Sequence, residues 1–180
     1  MVAPTLKELI PQYRAERLSF FPLPFKSKRD DAFKWGVFQE RVPTDAEIAK
    51  WFNGHPSNIA VVCGQVSGGL VIVEFDNPDF FDEFNRAFIN RCHQDIIDFT
   101  RVTKGKRGPH VWLRVKQPVK SRKTPKCEIR SDGNYIVVPP SVHPDGPTYQ
   151  FLSDLPIREI ESLIEVGINI DQQPAGNNQP

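Results

Sequence analysis

Seven residues, LVIVEFD (Leu70–Asp76), constrain this chain more than any other stretch. They form its most hydrophobic run, with glycines in front and Asn77-Pro78 behind, which predicts a buried central strand. Side chains alternate along a strand, so Leu70, Ile72, Glu74 and Asp76 share one face and Val71, Val73 and Phe75 the other. Two carboxylates therefore project together from the end of an apolar strand. Such a pair repels itself and is costly in a dry setting unless a cation neutralises it. Hard carboxylate oxygens suit Mg²⁺ or Mn²⁺. The same pattern also fits a strand end that emerges into water with both acids solvated.

Around this strand the chain mixes helical and extended signals. Leu6–Arg17 has a helical face of Leu6, Leu9, Ile10 and Tyr13, with Pro11 predicted to split it into two short pieces. LSFFPLPF reads as extended and KSKRDDAFKWG as a polar loop. Thr44 with Glu47 three residues on is a capping-box start for a short helix. Asn58–Cys63 reads as a strand, Gly64–Gly69 as a turn, and Asp79–Asn90 as a helix with Phe80, Phe84, Ala87 and Phe88 inward. Val102 opens a loop through TKGKRGP. Further strands are expected at His110–Val115, Cys127–Arg130 and Asn134–Val138. PPSVHPDGPTYQF is a loop leading into a short strand, and Ile157–Glu165 reads as the last helix. Several strands follow one another without an intervening helix, which predicts an α+β fold with a largely antiparallel sheet. One domain is expected over residues 1–166, with a Gln-, Asn- and Pro-rich linker or disordered tail at 167–180.

Charge is uneven. Net charge is only +1, so no global excess points to nucleic acid or membrane. Yet from Arg101 to Arg130 eleven Lys or Arg residues face a single acid, Glu128. Such a run is usually a solvated surface, but beside an acid pair it matches what a nucleotide's phosphates need. In TKGKRGPH, Gly105 and Gly108 allow close backbone approach, and Lys106 and Arg107 could meet phosphate. His110 opens a strand and shares a face with Trp112 and Arg114; it is either structural or a donor to a triphosphate. Glu128 and Arg130 share a face opposite Ile129. Glu128 could complete a two-metal site with Glu74 and Asp76, or serve a cross-strand salt bridge. Asp132-Gly133 reads as a turn.

The three cysteines, Cys63, Cys92 and Cys127, form no CxxC pair, which disfavours a disulfide framework or a structural zinc site and suits a reducing cytoplasm. Cys92-His93 offers metal-ligand chemistry or is simply helix and loop. The N-terminus lacks the pattern of a signal peptide, and no run approaches the roughly 18 apolar residues of a membrane span. A soluble protein is expected.

NIAVVCGQVSGGLVIVEFD, then GPHVWLRV, then CEIRSDGNYIVVPPSVHPDGPTYQF, in that order, resembles the bifunctional DNA primase/polymerase (prim-pol) domain of the archaeo-eukaryotic primase superfamily. The resemblance runs from Leu18 to Glu165, and the upstream FPLPFKSK and the WF before the first strand fit the same pattern. It implies an RRM-like catalytic sheet joined to an N-terminal α/β unit, and template-directed nucleotidyl transfer with Mg²⁺ or Mn²⁺. It implies Glu74, Asp76 and Glu128 as metal ligands and His110 as a contact to the incoming nucleotide's phosphates. Lys106, Arg107 and Arg130 are added from the charge pattern as phosphate or template contacts. Ser141 and His143 lie in the PPS loop with no role assigned. Partners implied are single-stranded or primed DNA template and nucleoside triphosphates, in the replication of a plasmid, virus or other mobile element. A helicase elsewhere in the full-length protein fits the family's usual company. Glu74 and Glu128 stand where Asp is usual, adding a methylene of reach without changing charge. Gly108-Pro109 stands where a small polar residue usually precedes the histidine, and the cysteines for a zinc-binding insertion are absent. Two other classes use similar residues: a non-catalytic nucleic-acid-binding module on the same fold, and a metal-dependent nuclease.

Overall fold

Thr5 opens the first helix, α1 (Leu6–Ala15), through a capping box with Glu8. Residues 4–169 are described by a computed structural model of the chain, so 170–180, most of the expected tail, lie outside the described residues. Pro11 does not divide α1, contrary to expectation. An interior proline costs about 3 kcal/mol, but burial of Leu9, Ile10 and Tyr13 on one face contributes about 1.5–3 kcal/mol each, so the helix holds as one piece. The second helix, α2 (Asp45–Trp51), starts at Thr44, whose side chain accepts from the Glu47 N–H. Arg41 grips Glu47 with two hydrogen bonds of 2.7 and 2.8 Å, and the Thr44 N–H donates to it at 2.8 Å. The Arg41 contact, followed by the Thr44 cap, pulls the Glu47 carboxyl down to about 2.

Two sheets carry the fold. Strands β1 (Phe20–Pro24) and β2 (Ser57–Val62) pair antiparallel, and β8 (Tyr135–Val137) adds to the other edge of β2. The larger sheet contains β3 (Leu70–Glu74), β4 (Val102–Lys104), β5 (Pro109–Val115), β6 (Arg122–Lys123), β7 (Glu128–Arg130) and β9 (Gln150–Ser153), in the order β6-β7-β3-β5-β4-β9. All pairings along that order are antiparallel. A final strand, β10 (Arg158–Ile160), lies parallel to β5 beside Leu113–Val115. The fold is α+β and largely antiparallel, as the strand spacing predicts.

Both faces of the large sheet are covered, so β3 is central in depth as well as in order. On one face Val71, Val73 and Phe75 pack with α3 (Pro78–Cys92), α4 (Ile96–Phe99) and the turn at Leu163–Val166. On the other, Leu70, Ile72 and Trp112 meet α1 and the small sheet. The small sheet's far side holds an aromatic cluster around Phe21, Phe38 and Tyr149. Asn77 caps α3 by accepting from the Asp79 N–H at 2.9 Å, and Pro78 follows at the first turn. Among the described residues no helix is long and apolar enough to cross a membrane.

Three local expectations need correction. Val102–Lys104 is β4 rather than loop; Thr103 is buried and accepts from Trp112 Nε1 at 3.0 Å. Ile157–Glu165 is not one helix: Arg158–Ile160 is strand, and only a short 3₁₀ turn of helix follows at Leu163–Val166. Arg158–Ile160 pairs with Leu113–Val115, the half of β5 that β4 leaves unpaired, and just past β5 Lys116 N–H donates to Ile160 O and Gln117 N–H to Glu161 O, both at 3.0 Å. A buried strand's amides need partners, and that need overrides a weak helical pattern. Ala87 is exposed: Phe81 and Phe88 set the inner face of α3, and Phe75 packs against Phe84 at 5.1 Å and Phe81 at 5.6 Å.

Candidate active site

The apolar face of β3 runs out from under the small sheet at Glu74. Leu70 and Ile72 are fully buried, whereas Glu74 is partly exposed at the head of a cleft. Register places Glu74 directly opposite His110 on β5 and directly opposite Glu128 on β7. Residues paired across strands share a face, so three strands present Glu128, Glu74 and His110 as one row. Arg130, two residues after Glu128, joins the same face opposite Ile72. Asp76 lies just past the strand end.

The glycine loop closes this row from one side. A Cβ on Gly108 would sit 2.1 Å from the Phe75 carbonyl oxygen, so only glycine lets the loop lie against the end of β3. Gly105 passes close to Tyr149 and His110, where an added Cβ would meet ring atoms at 3.0 and 3.3 Å. The loop thereby brings Arg107 onto the acids. Arg107 Nη1 lies 2.9 Å from Asp76 Oδ2, and Nη2 3.9 Å from Glu74 Oε1. Arg130 Nε donates to Glu74 Oε2 at 2.7 Å, and its Nη2 lies 3.2 Å from Glu128 Oε1. His110 Nε2 stands 3.7 Å from Glu74 Oε1.

Burial pushes the Glu74 carboxyl up, but His110 when protonated, with Arg130 and Arg107, outweighs it and holds it below the usual carboxylate range. Burial lowers the His110 pKa despite the facing Glu74, favouring a neutral ring. Burial, then Glu74, pushes the Tyr149 hydroxyl up to about 12. At this site two buried polar atoms have no hydrogen-bond partner, Asp76 Oδ1 and His110 Nδ1. Buried polar atoms are normally paired, so these mark unmet bonding capacity at the site.

The residues expected to hold metal and phosphate lie together, although Asp76 and Glu128 do not line the cleft itself and Arg101 and Arg114 of the basic run bind Glu16 instead. Glu74, Asp76, Glu128, His110, Arg107 and Arg130 form one network; Lys106 lines the same cleft and ion-pairs with Asp145. His143 also lines it, its Nδ1 accepting from the Asp145 N–H at 3.1 Å. Ser141 does not: its hydroxyl accepts from the Ile59 N–H at 2.9 Å and donates to the Ile59 carbonyl at 3.2 Å, pinning the PPS loop to β2. Cys92 packs against the apolar core and His93 ends α3 in a left-handed conformation. The cleft has a volume of about 270 Å³. Its remaining walls include Lys28, Trp35, Tyr135 and Tyr149, which sequence patterning does not single out. Only the packing of the small sheet's loops brings them there.

The donor set has the chemistry for a hard divalent cation. Asp76 Oδ1 is an acceptor without a donor, and Glu74 Oε1 has no contact closer than 3.7 Å. Among the described residues no group of three or more His, Cys, Asp or Glu is gathered as a cation cage, and Glu128 is turned to Arg130. Arg107 and Arg130 balance the acids instead.

A family model described as bifunctional DNA primase/polymerase, N-terminal, matches residues 11–163. No curated protein gives a match. The match takes in both sheets, the glycine loop and the whole acidic and basic network, and the chain belongs to the bifunctional DNA primase/polymerase N-terminal family.

Proposed function

We propose that this domain carries out template-directed nucleotidyl transfer, in which a 3′-hydroxyl attacks the α-phosphate of an incoming nucleoside triphosphate and pyrophosphate leaves. The observation that carries the proposal is the Glu128–Glu74–His110 row, whose Glu74 and His110 line a cleft walled by Lys28, Lys106, Arg107 and Arg130. Lys106, Arg107 and Arg130 would take the phosphates, exchanging their present carboxylate partners for phosphate oxygens. Neutral His110 would donate its Nε2 proton to a phosphate oxygen. Glu74, Asp76 and Glu128 would hold Mg²⁺ or Mn²⁺. Bound there, such ions would lower the hydroxyl pKa and stabilise the departing pyrophosphate. The basic segment would follow the template backbone, so DNA binding should weaken steeply with salt. Replication of a mobile element, beside a helicase in a longer chain, is the setting this activity suits.

The ion pairs from Arg107 and Arg130 to the acids favour one second reading, a nucleic-acid-binding module without turnover. The deciding experiment is extension of a labelled primer, and synthesis on an unprimed single strand, with Mg²⁺ or Mn²⁺ and either dNTPs or NTPs. Metal-dependent products support nucleotidyl transfer, and the unprimed lane separates primase from polymerase. No product with intact DNA binding supports the binding module, and degraded DNA without nucleotides supports a nuclease.

A further inference from the structure

The cleft has two chemically different ends. One holds Arg107, Arg130 and His110 around Glu74. The other is aromatic, formed by Trp35 and Tyr135. Both rings belong to the small sheet's aromatic cluster, yet both stay partly exposed while their neighbours Phe21 and Phe38 are buried. They are also held firmly. Phe21 stacks on Trp35 with centroids 5.7 Å apart at 15°, and Tyr135 meets Trp35 edge-on at 4.9 Å and 77°. Tyr135 meets Phe21 edge-on at 5.0 Å, and its hydroxyl donates to the Lys28 carbonyl at 3.2 Å. The corner's rings are thus fixed by core packing while remaining partly exposed. They offer a flat apolar surface to a ligand with no further ordering cost.

We infer that the Trp35–Tyr135 corner stacks the base of the incoming nucleoside triphosphate whose phosphates occupy the basic end. The inference rests on the nucleotide reading of the cleft and adds a second anchoring point to it. Asn134, the amide side chain at this end, already donates to Ser121 Oγ at 2.8 Å. Stacking without edge recognition suits an enzyme that must accept every base its template demands, because every base has a π-face. The remaining tryptophans do not serve this role: Trp112 is fully buried, and Trp51 packs edge-on against Phe38 at 5.1 Å.

The test separates base from phosphate by comparing two probes calorimetrically, dATP with Mg²⁺ and inorganic tripolyphosphate with Mg²⁺. In Trp35→Leu, dATP affinity should fall about tenfold, the scale of one lost stacking contact, while tripolyphosphate affinity stays at the wild-type value. Trp35→Phe keeps a π-face and should recover most of the dATP affinity. Wild-type dATP affinity in Trp35→Leu, with tripolyphosphate still bound, overturns the stacking contact alone. Equal weakening of both probes, or no rescue by Trp35→Phe, also overturns it, because the indole then acts only through the shape of the cleft. Failure of the unaltered protein to bind either probe removes the phosphate reading and this inference together.

Discussion

Two arginine–carboxylate clusters sit on the same face of the large sheet, and they are built to opposite ends. At the first, Arg101 is only 1% exposed, grips Glu16 at 2.6 and 2.7 Å, and faces Asp154 at 3.1 Å. Trp112 and Phe151 lie within cation–π reach of its guanidinium, at 5.6 and 5.9 Å. At the second, Arg107 is 55% exposed and touches Asp76 and Glu74 across distances of 2.9 and 3.9 Å. The first cluster is closed by rings and joins α1 to the sheet. The second is open on a cleft, where a ligand can reach its charges. Charge type is the same in both; enclosure separates a structural bridge from a site.

The comparison can be broken most severely at Arg101. Arg101→Met should lower unfolding free energy by about 3 kcal/mol, because breaking a buried pair strands its partners; Glu16 and Asp154 both reach water, which holds the loss to the low end. Urea denaturation measures this, and synthesis per folded molecule should be unchanged. A stable variant, or a folded but inactive one, would erase the division of roles. Asp76→Asn should do the converse. Primer extension should fall roughly 100-fold or more with the unfolding midpoint and DNA binding retained, since Asp76 is 37% exposed at the strand end.

Smaller effects sharpen the contrast. Arg107→Gln removes a charged donor and should raise the nucleotide dissociation constant about tenfold; an unchanged constant would show that Arg107 serves only the acids. A third Arg–carboxylate contact, Arg41 with Glu47, gives a surface reference and a pH test. Glu47 titrates near 4.5 when unfolded and about 2 when folded. Its contribution is therefore complete above about pH 4.5 and is lost as pH falls towards 2. Glu47→Gln should lower Tm by about 2–4 °C at pH 7, with the gap closing at acid pH. A gap that persists at pH 2 would assign the effect to packing rather than charge.

Much of this protein is written locally. Alternation along LVIVEFD and HVWLRV puts Glu74 beyond Ile72 on one face and His110 in line with Trp112, because a strand's period is independent of its surroundings. Capping at Thr44 depends on neighbours within a turn, so that helix start was legible as well. Gly105 and Gly108 announced a close approach without saying to what. Tertiary structure decided the rest. Register across β7, β3 and β5, which no single segment encodes, makes one row of Glu128, Glu74 and His110. Arg101 and Arg107 belong to one basic run, yet one is buried and the other lines the cleft, because folding assigns environment where composition assigns only charge. Ile157–Glu165 became a strand and a turn because β5 had amides to satisfy. Trp35 and Tyr135, 100 positions apart in sequence, share a corner because β8 docks beside β2 and draws the loop before α2 over it. Short-range chemistry determined which residues could act; long-range packing, driven by apolar burial and backbone satisfaction, determined which of them meet.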